Sequence, residues 1–191
     1  MFSKLRLKLI PLIRFLGKLQ APWVTKKITG YDYEEILSKI RPGDILLTRA
    51  LGFFSNFLIP GYWKHVGVMC EGNYVVEALG DGVVKTYLAD FVLSKDSVMV
   101  VRPTFCNEKI ACEASREALN YVGANYDYEF ELDNEAFYCS ELAYQAYKVA
   151  AGEAFGFELR ERLGVKTVTA DDFAEAVKWW APIFDSRGNR G

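Results

Sequence analysis

A chain of 191 residues is long enough for one domain with a sizeable core and short for two ordinary ones. Hydrophobic residues make up 51% and aromatics 15%, which excludes global disorder, and a net charge of −2 argues against a general nucleic-acid binder. The charge is uneven: residues 1–31 carry seven Lys or Arg and no acid, leaving 16 basic against 25 acidic residues in the remainder. A basic arm on an acidic body points to an anionic surface, and a membrane leaflet fits better than a duplex.

The first segment, MFSKLRLKLIPLIRFLGKLQAPW, has the outline of a signal peptide. Lys8, Arg14 and Lys18 interrupt its apolar region, however, and no small-residue cleavage motif follows. On a helix Leu5, Leu9, Leu12, Ile13 and Leu16 share one face, with Lys4, Lys8, Arg14 and Lys18 opposite. That is the pattern of an interfacial helix, kinked at Pro11; a helix packed on its own domain with solvated charges would produce it too. The expectation is a basic amphipathic arm over 1–30, a single domain over 31–191, and a cytoplasmic protein, peripheral at a membrane surface through residues 1–20. No run of 18 apolar residues is present to span a bilayer.

After the arm, YDYEEILSKI reads as a short helix closed by Arg41-Pro42-Gly43, and GDILLTRA as a strand entered through a turn. Residues 51–64, LGFFSNFLIPGYWK, read as an aromatic-rich loop or short helix. HVGVMC (65–70) and YVVEAL (74–79) form a hairpin around Glu71-Gly72-Asn73, followed by a third strand, VVKTY, a helical turn, LADFVLSK, and a further strand, SVMVVRP. The second half changes character. NEKIACEASREALNYVGA has helical periodicity with Asn107 as its cap, NYDYEFELDNEA is a polar loop, and FYCSELAYQAYKVAAG is a second helix closed by Gly152. Thr169 and Asp172 form a capping box for ADDFAEAVKWW. Strands first and helices second, with short hairpin connections, predict an α+β fold with an antiparallel sheet packed against helices.

Four cysteines, Cys70, Cys106, Cys112 and Cys139, contain no Cys-x-x-Cys pair, and the chain has one histidine. A zinc site of ordinary ligand types and a disulfide framework are therefore not expected, and no cofactor is implied. Cys139 stands out because it falls at a helix start, where N–H groups and the helix dipole favour a thiolate and can hold an oxyanion. Any base for it of the usual kind must be His65. On its strand His65 shares a face with Gly67 and Met69, and the glycine leaves room for a substrate or an approaching helix. A three-residue hairpin loop sets Gly67 opposite Glu77 and brings that carboxylate diagonally beside His65; a two-residue loop would turn it away. Taken singly, Cys139 as core filling and His65 as a satisfied structural residue are the commoner roles. Glu77 in an apolar strand needs a partner in any fold. The other cysteines read as structural, and Trp179-Trp180 as core or interface.

The motifs RPGDILLTRA, WKHVGVMCEGNYVVEALGDGVVKTYLADF, MVVRP and GANYDYEFELDNEAFYCSELAYQAY resemble the permuted NlpC-type papain-like cysteine hydrolases. The resemblance is to the YiiX-like branch, distantly similar to the lecithin:retinol acyltransferases, and runs from about Arg41 to Tyr147. It implies a papain-like, circularly permuted fold in which the histidine strand precedes the cysteine helix. It further implies Cys139 as nucleophile, His65 as base, Glu77 as third polar residue and Tyr126 beside the active site, with Tyr138 and Glu141 as structural support. Asn125 stands where a proline is common, and the arm and the segment after Gly152 have no counterpart in the pattern.

The resulting expectation is a thiol hydrolase, an amidase or peptidase or a lipid acyl hydrolase or transferase, working through a Cys139 thioester. Its catalytic residues are Cys139, His65 and Glu77; Tyr126 and Gly67 line the substrate. The partner is a peptide or lipid-derived small substrate, with a slight lean toward the lipid-associated kind, and no metal. The rivals are a non-catalytic lipid- or peptide-binding module on the same fold and a membrane-surface scaffold.

Overall fold

The computed structural model describes residues 27–50, 61–130, 135–162 and 164–188. The first 26 residues of the basic arm and the aromatic segment 51–60 lie outside them.

The first helix, α1 (Gly30–Lys39), begins where Thr29 and Asp32 form a reciprocal capping box, the Asp32 carboxylate accepting the Thr29 N–H at 2.8 Å. Ile28, assigned to the arm by its sequence, is buried beside Ile36 and Leu46. Strands β1 (Ile45–Arg49), β2 (His65–Cys70), β3 (Tyr74–Leu79) and β4 (Gly82–Tyr87) lead into a short helix, α2 (Leu88–Leu93), and β5 (Ser97–Pro103). Helices α3 (Glu108–Asn120) and α4 (Cys139–Ala151) follow. Asn107 caps α3 by accepting the Ile110 N–H at 3.1 Å. A small hairpin, β6 (Arg160–Arg162) and β7 (Val165–Thr167), then α5 (Ala170–Glu175) and β8 (Trp180–Asp185), complete the chain.

Six strands form one antiparallel sheet in the order β4-β3-β2-β1-β5-β8. Helices cover both faces. Val66, Val68, Val76 and Leu47 pack with Ala114 of α3 and Leu142, Ala143 and Ala146 of α4. Leu46, Met69, Val75 and Val100 pack with Ile36 of α1 and Leu88, Phe91 and Val92 of α2. This two-sided cover explains why β2 and β3 read as nearly continuous apolar runs rather than as alternating ones. The α+β class and the antiparallel sheet expected from the sequence are present.

Two details differ from the element-by-element expectation. The helix predicted over ADDFAEAVKWW stops at Glu175, and Trp180 opens a sixth strand of the sheet opposite Pro103. Trp180 is fully buried, so the chain turns to bring it into the core, and Pro182 is tolerated because β8 is an edge strand. The segment after Gly152 is thus part of the sheet architecture.

Candidate functional site

Site geometry begins with hairpin parity. Cys70 pairs with Tyr74 and Gly67 with Glu77, the register of a three-residue loop. Glu77 therefore shares a face with His65, and their side chains meet: His65 Nε2 lies 2.7 Å from Glu77 Oε2. Glu77 is almost completely buried, and its other oxygen accepts from the Thr86 hydroxyl. Thr86 escaped the sequence reading, although the β3–β4 register that pairs it with Val75 puts it on the same face as Glu77.

Cys139 is the first residue of α4, after an extended Tyr138 at the cap position whose N–H is accepted by Glu141 at 3.4 Å. Its thiol faces His65, and the backbone N–H groups of Val66 and Ser140 lie near enough to favour a thiolate. The Val66 donor has a structural origin. Pairing of β2 with β3 ends at Gly67↔Glu77, so the ladder closes before Val66 and the end of the strand meets the helix. With Nε2 occupied by Glu77, Nδ1 is the imidazole nitrogen left for the sulfur.

These contacts shift the proton balance. Burial pushes the Cys139 thiol up, but the His65 hydrogen bond and charge, with the two backbone donors, bring it below its ordinary value. Burial likewise disfavours a charged His65. Hydrogen bonds to Cys139 and Glu77 and the charges on both outweigh that, raising His65 to about 9. Glu77 is held below the usual carboxylate range because the His65 hydrogen bond and charge, then Thr86 and the Lys95 charge, overcome its burial. The favoured state is a thiolate beside an imidazolium, which is the reactive form of a nucleophilic cysteine.

Tyr126 sits next to this pair. Its segment runs alongside the approach to α4, with Phe137 N–H donating to Asn125 O at 3.0 Å and Asp127 N–H to Phe137 O at 3.2 Å. Burial first, and the Cys139 charge second, push the Tyr126 phenol well above its ordinary value, so it remains an O–H donor. Gly67 is filled differently: an added Cβ would lie 2.4 Å from Val75 Cγ1 and 2.9 Å from Phe91 Cζ. Of the two occupants its sequence position allowed, the space holds the approaching helix α2.

The remaining motif residues are structural. Asp44 of GDI is buried and takes a bidentate pair from Arg102 at 2.8 and 2.7 Å, joining the start of β1 to the end of β5. Ser140 donates to Val168 O at 2.8 Å, and the Tyr138 hydroxyl accepts the Val168 N–H at 3.2 Å. Cys70 and Cys106 are pushed up by burial, to about 12 and about 11, the reverse of Cys139. Among the described residues no cluster of three or more His, Cys, Asp or Glu is arranged to hold a metal ion, and no helix is long and apolar enough to cross a membrane.

Comparison with known proteins adds two findings. A solved structure from Escherichia coli O157:H7, the protein YiiX, described as a metalloprotein, is similar in fold with a TM-score of 0.56 and 19% identity. That alignment covers 77% of this chain and 89% of YiiX. No curated protein matches the chain. The model of a permuted papain-like amidase family matches residues 39–181, which extends past the sequence motifs to include β6, β7 and α5. The chain belongs to the permuted papain-like amidases of the YaeF/YiiX (C92) family.

Proposed function

We propose that the protein hydrolyses an amide through a Cys139 thioester, with His65 as general acid and base and Glu77 as its orienting partner. The observation that carries this reading is the imidazole of His65 set between Cys139 on one side and the Glu77 carboxylate, 2.7 Å from Nε2, on the other. In the first step Cys139 Sγ attacks the carbonyl carbon, forming a C–S bond and an oxyanion. Collapse breaks the C–N bond, and the proton on His65 passes to the leaving amine. His65 then takes a proton from water, whose oxygen attacks the thioester; the C–S bond breaks, the acid leaves and the thiolate returns. The Cys139 N–H at the open first turn of α4 and the Tyr126 hydroxyl are the donors proposed for the oxyanion. The same thioester would serve an ester substrate, or an acceptor other than water. The basic arm, which carries seven Lys or Arg and no acid, supports a substrate met at an anionic surface.

The test is the pH dependence of Cys139 alkylation by iodoacetamide, with the modified cysteine located by mass spectrometry. Selective labelling of Cys139 well below the ordinary thiol value of 9.0 is expected in the wild type. His65→Ala should move that profile up to the ordinary value, and Glu77→Gln part of the way, because each removes a charge that favours the ion pair. Wild-type labelling only at the ordinary value, indifferent to His65→Ala, would reject the enzyme reading in favour of a binding module on the same fold.

A further inference from the structure

One four-residue segment at the start of α5 touches the surroundings of both Cys139 and His65. On the cysteine side, Val168 binds the residues flanking the nucleophile: its carbonyl accepts from Ser140 Oγ at 2.8 Å, and its N–H donates to the Tyr138 hydroxyl at 3.2 Å. On the histidine side, the Asp171 carboxylate accepts the N–H of Tyr62 at 2.7 Å and that of Trp63 at 2.9 Å. Those two residues lead directly into β2, whose first residue is His65.

We propose that Asp171 is a positioning residue for the Cys139–His65 dyad, fixing the backbone that delivers His65 from a segment that also fixes the start of the Cys139 helix. The inference rests on the catalytic reading of that dyad. Its force lies in how closely the carboxylate is seated. Gly61 has φ +90°, and a Cβ there would lie 1.5 Å from Asp171 Oδ2, so only glycine lets the carboxylate reach the two following amides. The segment is itself held: Asp172 accepts the Thr169 N–H at 2.8 Å and pairs with Arg162 at 2.7 Å and Arg160 at 3.0 Å. Two anionic oxygens on two backbone N–H groups are strong hydrogen bonds, and they act across a tertiary contact between parts of the chain about a hundred residues apart. Charged groups facing Asp171 are Lys64 and Arg187; facing the dyad are the Glu77 carboxylate and the neutral phenols of Tyr126 and Tyr138.

The experiment compares Cys139 alkylation across pH, and Tm, in full-length wild type, His65→Ala, Asp171→Ala, Asp171→Asn and Gly61→Ala. Loss of the carboxylate (Asp171→Ala) and its displacement from the opposite side (Gly61→Ala) should each slow labelling at neutral pH by about 10-fold, since small misplacements of a catalytic group cost that much or more. Both profiles should move toward that of His65→Ala at temperatures well below each variant's own Tm, which the lost hydrogen bonds and the strained φ at position 61 will lower. Asp171→Asn keeps one acceptor oxygen and should fall between; if Asp171→Ala does not fold, Asp171→Asn and Gly61→Ala decide. A wild-type profile in these folded variants, or a shift seen only with collapse of Tm, overturns the positioning role. A wild-type profile already indifferent to His65→Ala overturns the catalytic reading beneath it.

Discussion

The proton shared by His65 and Cys139 has a consequence for stability as well as reactivity. His65 is raised to about 9 in the fold, so taken alone it contributes stability that is complete below 6.5 and lost as pH rises through about 9. Cys139 is lowered, so it contributes stability present above 9.0 and lost as pH falls through its depressed value. Between 6.5 and about 9 the two slopes oppose each other: the folded dyad keeps one proton on His65, and the unfolded chain keeps one on the thiol. The dyad should therefore add no net pH dependence to Tm across that interval. In Cys139→Ala, His65 loses the hydrogen bond and the charge that Cys139 supplies, and burial then opposes Glu77 alone, so its value should fall from about 9. NMR titration of the His65 imidazole in the two proteins reads this directly; the same value in both would show that Cys139 does not help His65 hold its proton.

Among the elements, β2 and α4 share the task of presenting the site, and both reach it with unusual ends. Strand β2 stops pairing with β3 before Val66, which turns a ladder donor into a donor for sulfur. Helix α4 starts at Cys139 itself, so the thiol meets the open first turn. The packing that holds β2 in place is tight at Gly67, where Phe91 and Val75 occupy the space of a side chain. Gly67→Ala should lower stability by about 1–3 kcal/mol, the usual cost of overpacking a filled core. It should also disturb His65, whose ring centroid lies 5.9 Å from that of Phe91. Chemical denaturation measures the first effect, and an unchanged midpoint would show that α2 yields without cost.

The molecule as a whole is a sheet covered on both faces, with its site at the end of β2 where one covering helix begins. Long-range contacts tie its interior strands as well; among the ion pairs of the described residues, Asp44–Arg102, between β1 and β5, has the most buried carboxylate, with 2% of the Asp44 side chain exposed. Asp44 also accepts the Arg41 N–H at 2.8 Å, and the neighbouring Gly43 carbonyl accepts from the Tyr147 hydroxyl of α4. Asp44→Ala would remove the carboxylate that pairs with a part-exposed Arg102 and accepts the Arg41 N–H, and should cost about 1–3 kcal/mol, the range for losing charge-assisted hydrogen bonds. Such a variant should unfold at a lower midpoint while its surviving folded fraction labels Cys139 with the wild-type pH profile. A profile shifted in proportion to the stability loss would place Asp44 in the chemistry instead.

Much of this protein was legible in its residues. The single histidine left His65 as the one candidate base for Cys139, and the length of the Glu71–Asn73 loop, through strand parity, was enough to put Glu77 beside that imidazole. The capping signals at Asn107, Gly152 and Thr169 marked real helix ends because they act within a few residues of chain. What lay beyond the sequence was everything settled by contacts between distant segments. Pro182 and the helical reading of ADDFAEAVKWW hid a strand that forms only because Trp180 must be buried opposite Pro103. The occupant of the space over Gly67 was decided by α2, and the Val66 donor by where a ladder stops. Local chemistry and periodicity determined the elements, the dyad and its third member. Tertiary packing alone decided how the C-terminal segment closes around them, because a carboxylate such as Asp171 has no signature until the backbone it binds has been folded against it.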